Sequence, residues 1–224
     1  MRKLALIVVL ILVAVPIAFA RPHHWMIAQA KLADLVPASA PATTATAGLQ
    51  ATPWAHSLIA AAEAQIGVTT IYDGTYRKLA YPGGDVERVR GVCTDVLVRA
   101  LRDAHGLDLQ KAVHEDMKRA FSSYPANWGL TRPDSNIDHR RVPNLRRFFA
   151  RRGAELAPES DFLPGDIVTW MLGPGLPHIG IVSERLSADG SRPLIVHNVG
   201  AGTRLDDFLH SYPITGHYRI EGRL

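Results

Sequence analysis

The sequence predicts an α+β fold with an antiparallel sheet. Stretches with helical periodicity come first, between residues 54 and 152, and short β-like runs follow, between residues 166 and 220. This segregation favours an antiparallel sheet, because a parallel sheet needs helices and strands that alternate. With 224 residues, 47% of them apolar, the chain is long enough to bury a core, and its single cysteine excludes a disulfide scaffold within the chain.

The first twenty residues have the features of a secretory signal peptide. Arg2 and Lys3 form a positive start, residues 4–19 are apolar and uncharged, and Ala18-Phe19-Ala20 fits the small-x-small cleavage rule. The alternative is an uncleaved membrane anchor, since this apolar run is at the short limit of a bilayer span. In both cases we expect the protein to be exported, to the periplasm or cell envelope.

Residues 21–53 are rich in Ala, Pro and Thr, a composition typical of a flexible linker. The folded domain is therefore predicted to cover residues 54–224. Lys and Arg number 25 against 21 Asp and Glu, and Arg2 and Lys3 belong to the predicted signal peptide. The remaining excess of positive charge is too small to indicate a nucleic-acid partner.

Four stretches of the domain are predicted to be helical. Thr52 and Pro53 are typical of an N-cap and first turn, and Gly67 is typical of a helix end, so the first helix covers residues 54–66. The other predicted helices are residues 93–105, 110–121 and 142–152. The predicted strands are residues 166–171, 178–183, 194–198 and 215–220.

Cys93 stands at the start of the second predicted helix, which Gly106 ends. There the positive end of the helix dipole and the unpaired N–H groups favour the thiolate, so we expect a lowered pKa, and Arg90 would add to the effect. The same N–H groups can stabilise a developing oxyanion. The alternative is an inert thiol buried in the core.

Two histidines are candidates for the partners of this thiol. His178 and His197 lie in strand-like segments joined by a turn at residues 188–190, so an antiparallel hairpin would place them side by side. A cysteine nucleophile needs a base and a third polar group that orients the base. Each histidine taken singly is also consistent with a buried core residue.

Several motifs follow one another along the chain. They are Tyr81, Gly83-Gly84, Cys93 at a helix start, Leu163-Pro-Gly-Asp-Ile-Val168, His178-Ile-Gly-Ile-Val182 and Ile195-Val-His197. This ordered set resembles the papain-like cell-wall hydrolases of the NlpC type. From about residue 60 to residue 218 the chain also resembles an exported bacterial family known as domain of unknown function 1287.

This resemblance implies a papain-like domain in which Cys93 is the nucleophile, His178 the base and His197 the third polar residue. The implied reaction is cleavage of an amide or peptide bond, in peptidoglycan stem peptides, through a thioester acyl-enzyme and without a cofactor or metal. Tyr81 matches the tyrosine before the glycine pair, and its hydroxyl is a candidate contact for the oxyanion. Asp95 and Asn198 are further candidates for contacts to the oxyanion or substrate.

The chain departs from the superfamily next to the nucleophile. Val92 and Thr94 stand where Asp and Ser are usual, and Asp95 follows one place later. This departure concerns the substrate subsite more than the nucleophile.

The polar segment at residues 136–141 is a candidate wall of the substrate groove. His139 or Arg141 could bind a substrate carboxylate there, and the alternative is a helix boundary with solvated charges. The arginines of the following predicted helix are interpreted as a solvated face beside an apolar stripe.

Two other functions remain open at this level. One is a wall-binding module without catalysis, which keeps the fold. The other is a metallohydrolase, with His139, Asp166, His178 and His197 as ligands, although the sequence has no His-Glu-x-x-His, His-x-His or Cys-x-x-Cys motif.

Overall fold

A computed structural model describes residues 49–157 and 160–224. The predicted signal peptide and the predicted linker up to residue 48 lie outside the described residues. Among residues 49–157 and 160–224, none of the helices combines the length and the apolar character that a membrane crossing requires.

Four α-helices are described, and each corresponds to a predicted one: α1 (Pro53–Glu63), α2 (Cys93–His105), α3 (Leu109–Ala120) and α4 (Val142–Arg151). Thr52 caps α1, since its hydroxyl accepts the N–H of Ala55 at 3.1 Å. This helix ends at Glu63 rather than residue 66, and turns continue to Gly67, which has a φ of 78°. Short 3-10 helices cover Phe121–Ser123 and Asp138–Arg140.

Two short strands, β1 (Ile71–Tyr72) and β2 (Arg90–Gly91), form a separate parallel pair that the sequence analysis did not predict. The main sheet contains β3 (Glu155–Leu156), β4 (Ile167–Met171), β5 (Pro177–Leu186), β6 (Pro193–Asn198), β7 (Thr203–Asp206) and β8 (Ile214–Tyr218). Its order is β3-β8-β4-β5-β6-β7, and every pairing is antiparallel, as predicted. Four of these strands match the predicted runs, whereas β3 and β7 were missed.

The main sheet is buried on both faces. One face packs against the helices, with Ile179 and Ile181 of β5 in contact with α2. The other face carries a second, smaller core, which includes Trp170 and Phe208. Because successive side chains of a strand point to opposite faces, β5 and β6 supply both cores, and this explains their nearly continuous apolar sequences.

The start of α2 is held in place by a buried arginine. Arg99 is fully buried and donates to the Asp85 carboxylate, to the Thr69 hydroxyl and to the carbonyl of Arg90. A side chain at Gly91 would meet the Arg99 guanidinium at 3.1 Å, so this position is kept small. These contacts fix the path by which β2 leads into Cys93.

Candidate active site

Cys93 is the first residue of α2, as predicted, and only 6% of it is exposed. Three hydrogen-bond donors face its sulfur: the main-chain N–H groups of Thr94 and Ile179, and the hydroxyl of Tyr72. Thr94 belongs to α2, Ile179 to β5 and Tyr72 to β1. The sulfur therefore lies where three separate elements meet.

Burial raises the pKa of the Cys93 thiol to about 12, and the nearby Asp95 carboxylate adds to this effect. The three donors act in the opposite direction but are outweighed. The lowered pKa of Cys93 that the sequence predicted is therefore wrong. Burial removes water from the sulfur, and this destabilises the thiolate more than the N–H groups at the start of α2 stabilise it. Cys93 is a neutral thiol at neutral pH.

The hairpin of β5 and β6 brings the two predicted histidines together. Nε2 of His178 lies 2.8 Å from Nδ1 of His197, and both side chains are buried. Nε2 of His197 lies 3.0 Å from Oδ2 of Asp206 in β7. The result is a hydrogen-bonded chain across three neighbouring strands, and we call these three residues the imidazole relay.

The imidazole relay is enclosed by aromatic rings of the second core. Phe208 contacts both imidazoles, with ring centroids 5.4 Å from His178 and 4.3 Å from His197, and Trp170 lies 5.9 Å from His178. Burial lowers the pKa of His178 well below its usual value and also lowers the pKa of His197, despite the Asp206 carboxylate. Both rings are therefore neutral at neutral pH.

The main chain of His178 lies next to Cys93 at the start of β5. Ile179, whose N–H faces the sulfur, directly follows His178 in the chain. Cys93 belongs to the helix-side core, whereas the His178 ring packs in the second core. Since Nε2 of His178 is used by His197, Nδ1 is the ring nitrogen that remains for an exchange of protons with a thiol.

Tyr72 lies at the sulfur, in the place that the sequence analysis gave to Tyr81. The Tyr81 side chain is 41% exposed, and its ring packs edge-on against His114 at 5.1 Å. Burial and the neighbouring Cys93 raise the pKa of Tyr72 well above its usual value, so its hydroxyl stays protonated. Tyr72 reaches Cys93 because β1 pairs in parallel with β2, which lies just before Cys93. No local sequence motif predicts this pairing.

The side chains of Asp95 and Asn198 make hydrogen bonds within the protein and do not face an open site. Asp95 accepts the N–H of Val92 at 2.7 Å and forms a buried, two-pronged ion pair with Arg140. Asn198 donates to the carbonyl of Gly91 at 3.2 Å and accepts the N–H of Gly200. Both residues hold the surroundings of Cys93 in place, and the contacts to oxyanion or substrate expected of them are not supported.

His139 and Arg141 are buried as well. Burial lowers the pKa of His139 to about 4, so the ring is neutral and unsuited to binding a carboxylate at neutral pH. The Arg141 guanidinium lies over the ring of Trp128, 4.1 Å from its centroid, and beside Asp138. The predicted role in a substrate groove is not supported for either side chain.

The four residues considered as metal ligands are not gathered at one point. Asp166 pairs with His217 at 2.8 Å and with Arg219, and His139 is buried beside Arg140, which binds Asp95. Only His178 and His197 are in contact. In the part of the chain that the structure describes, no group of three or more His, Cys, Asp or Glu side chains has the arrangement of a metal site.

A cleft of about 540 Å³ opens beside the start of β5. Its walls come from α4 and from the ends of β4, β5 and β8, and they include Arg146, Arg147, Met171, Pro177 and Tyr218. Pro177 directly precedes His178. Arg147 is exposed, and its Nε donates to the carbonyl of Ser123 at 2.8 Å.

The fold and the site together define a class: α+β proteins in which a buried cysteine begins a helix next to paired histidines on an antiparallel sheet. The family described as "Domain of unknown function (DUF1287)" matches residues 59–220, and the chain belongs to this family. The chain is similar to "Uncharacterized protein YijF" of Escherichia coli (strain K12). The two are 54% identical over 162 residues, which cover 70% of this chain and 78% of the relative.

Proposed function

We propose that this protein is an exported cysteine hydrolase of the papain-like, NlpC-type class that cleaves an amide bond in peptidoglycan stem peptides. The observation that carries the proposal is the imidazole relay, which reaches the start of β5 next to the N–H that contacts the sulfur of Cys93. The order of motifs along the chain supports the same class.

In the proposed reaction, His178 takes the thiol proton at Nδ1 while the sulfur of Cys93 attacks the substrate carbonyl carbon. Because both groups are neutral at rest, proton transfer accompanies the attack, and no preformed ion pair precedes it. Collapse of the tetrahedral intermediate breaks the C–N bond, and the leaving amine takes the proton from His178. Water then attacks the thioester, giving a carboxylic acid and restoring the thiol.

The developing oxyanion requires hydrogen-bond donors that are already in place. The main-chain N–H groups at the start of α2 and the hydroxyl of Tyr72 are the donors that the structure offers beside the sulfur. Preorganised donors of this kind contribute about 3 kcal/mol each to the stabilisation of such transition states. Tyr72 therefore takes the role that the sequence analysis proposed for Tyr81.

The cleft beside Pro177, which leads to the residue before His178, supports this substrate class. A volume of about 540 Å³ suits a short peptide, and the walls carry two basic side chains, Arg146 and Arg147, and one acidic side chain, Glu155. Stem peptides carry carboxylates, which complement the excess of positive charge that the two arginines give the cleft. Both the cleft and the predicted export favour an envelope peptide as the substrate.

The proposal is tested by digestion of labelled sacculi with the wild type and with Cys93→Ala. We expect soluble muropeptides from the wild type only, and mass spectrometry of these fragments identifies the bond. Circular dichroism should show the same fold for both proteins, since Cys93→Ala removes a single atom from the core. Equal release by the two proteins would contradict a thiol mechanism.

A second candidate function is a wall-binding module without catalysis. The high pKa of Cys93 favours it, because a thiol that stays protonated is a poor nucleophile on its own. Sedimentation with sacculi separates the two proposals. Binding by both the wild type and Cys93→Ala, with no fragment released by either, would support the module.

Export is proposed from the sequence of the first twenty residues. Cleavage after Ala20 would give a mature chain that starts at Arg21. N-terminal sequencing of the protein from the cell envelope tests this point. A chain that retains Met1 in the membrane fraction would indicate the anchor instead.

A further inference from the structure

The imidazole relay continues from His178 through His197 to Asp206. Asp206 is fully buried, and its Oδ2 lies 3.0 Å from Nε2 of His197. Arg204, which faces His197 in the register of β6 and β7, forms an ion pair with the same carboxylate oxygen. The last member of the imidazole relay is therefore a carboxylate paired with a cation. Both residues belong to β7, a strand that the sequence analysis missed.

These contacts determine which nitrogen of each ring carries the proton. The Arg204 cation beside Oδ2 stabilises Asp206 as a carboxylate, which can only accept hydrogen bonds, so Nε2 of His197 must donate to Oδ2. A neutral imidazole has one N–H, so Nδ1 of His197 accepts. Nε2 of His178 must then donate to Nδ1 of His197, which leaves Nδ1 of His178 without a proton.

We propose that Asp206 is a positioning residue that sets the tautomers of both imidazoles and keeps Nδ1 of His178 ready to accept a proton. Its catalytic consequence rests on the proposed hydrolase function. The tautomers themselves are a property of the resting protein, and they are measured without any substrate.

Imidazole nitrogen NMR on the folded full chain, labelled with ¹⁵N-histidine, tests the assignment. In the wild type we expect His178 and His197 each to carry the proton on Nε2 only, with single variants of each histidine used to identify the signals. In Asp206→Ala, Nε2–H of His197 loses its acceptor in a buried site. The proton should then move to Nδ1 of His197, which donates to His178 and moves the His178 proton to Nδ1.

Two further variants separate this role from a merely structural one. In Asp206→Asn we expect the wild-type tautomers, because the Arg204 cation beside Oδ2 favours the amide oxygen rather than the amide NH₂ at that position. Asp207→Ala removes the neighbouring carboxylate, which pairs with Arg192 at the surface, and should leave both rings unchanged. A wild-type His178 protonated at Nδ1, or wild-type tautomers in Asp206→Ala, would overturn the proposal.

Activity provides an independent measurement. On released muropeptides we expect Asp206→Ala to lower kcat by about 10²-fold to 10⁴-fold, as when a catalytic histidine has the wrong tautomer, with KM within about twofold. Asp206→Asn should lose less activity than Asp206→Ala, because its amide oxygen can still accept the N–H of His197. If the wild type releases nothing, the hydrolase proposal fails, and the NMR spectra still decide the role of Asp206.

Discussion

At the scale of single residues, Cys93 shows how burial and helix position compete. The N-terminus of α2, two main-chain donors and the Tyr72 hydroxyl all favour a thiolate, yet burial raises the pKa to about 12. The position of a cysteine at a helix start can be seen in a sequence, whereas its exposure cannot. The chemistry of this thiol is therefore decided by the packing of β1 and β5 around it.

Tyr72 provides a test at the residue scale. Tyr72→Phe removes a hydroxyl that contacts the sulfur and is placed to donate to the oxyanion. We expect kcat for muropeptide release to fall by about 10²-fold, with KM little changed, because one oxyanion donor is lost. Steady-state kinetics measure this effect.

Tyr81→Phe is the matched control, because Tyr81 packs against His114 and does not face Cys93. Its kcat should equal that of the wild type. A larger loss of activity in Tyr81→Phe than in Tyr72→Phe would contradict the role of Tyr72 and would show that Tyr81 is the oxyanion donor, as the resemblance implies.

At the scale of elements, the hairpin of β5 and β6 explains the glycine in the His178-Ile-Gly motif. A Cβ atom at Gly180 would lie 2.6 Å from Ile195 and 3.2 Å from Cβ of His197. A Cβ contact of 2.6 Å essentially never occurs in folded proteins, and 3.2 Å is tighter than most, so a larger residue would force β6 or its side chains to shift. The glycine therefore permits the 2.8 Å contact between the imidazoles.

Gly180→Ala should lower the free energy of unfolding by about 1–3 kcal/mol, the usual effect of an extra methyl group in a tightly packed site. It should also reduce kcat, because His197 must shift. Urea denaturation and muropeptide release measure the two effects. In the control Gly173→Ala, the new Cβ meets only Leu176 at 3.4 Å, an ordinary contact, so a change below about 0.5 kcal/mol is expected.

If Gly180→Ala and Gly173→Ala had equal stability, the close packing of β5 on β6 would not be the reason for the glycine at position 180.

The helices and most of the strands were largely predictable from the sequence. The apolar stripe and Gly106 indicated α2, and the turn at residues 188–190 indicated the hairpin. By contrast, β7 has a sequence of mixed polarity, and it becomes a strand because the open edge of β6 pairs with it.

At the scale of the whole molecule, the buried titratable groups determine how stability depends on pH. His139, His178 and His197 have lowered pKa values, so the unfolded chain binds protons that the folded protein excludes, and stability falls as the pH decreases below about 6.5. Asp138 acts in the opposite direction, because burial raises its pKa to about 6 and the folded protein holds a proton there.

We therefore expect a lower free energy of unfolding at pH 5 than at pH 7. His139 alone, with a pKa of about 4, accounts for a loss of about 2 kcal/mol, and Asp138 offsets about 1 kcal/mol of the total. Urea denaturation at pH 7, 6 and 5 measures the change. Asp138→Asn should make the loss steeper, since the compensating group is removed, and equal or greater stability at pH 5 would contradict this explanation.

The sequence by itself determined the α+β class, the four helices, the antiparallel sheet and the pairing of His178 with His197. These features depend on local periodicity, on helix ends and on turns, which a chain expresses over a few residues. Tertiary structure alone decided that Tyr72 rather than Tyr81 faces Cys93, that Asp206 completes the imidazole relay, and that the thiol is buried and neutral. Contacts between residues distant in the chain, and the loss of water around them, follow from how the elements pack, and local patterns do not record that packing.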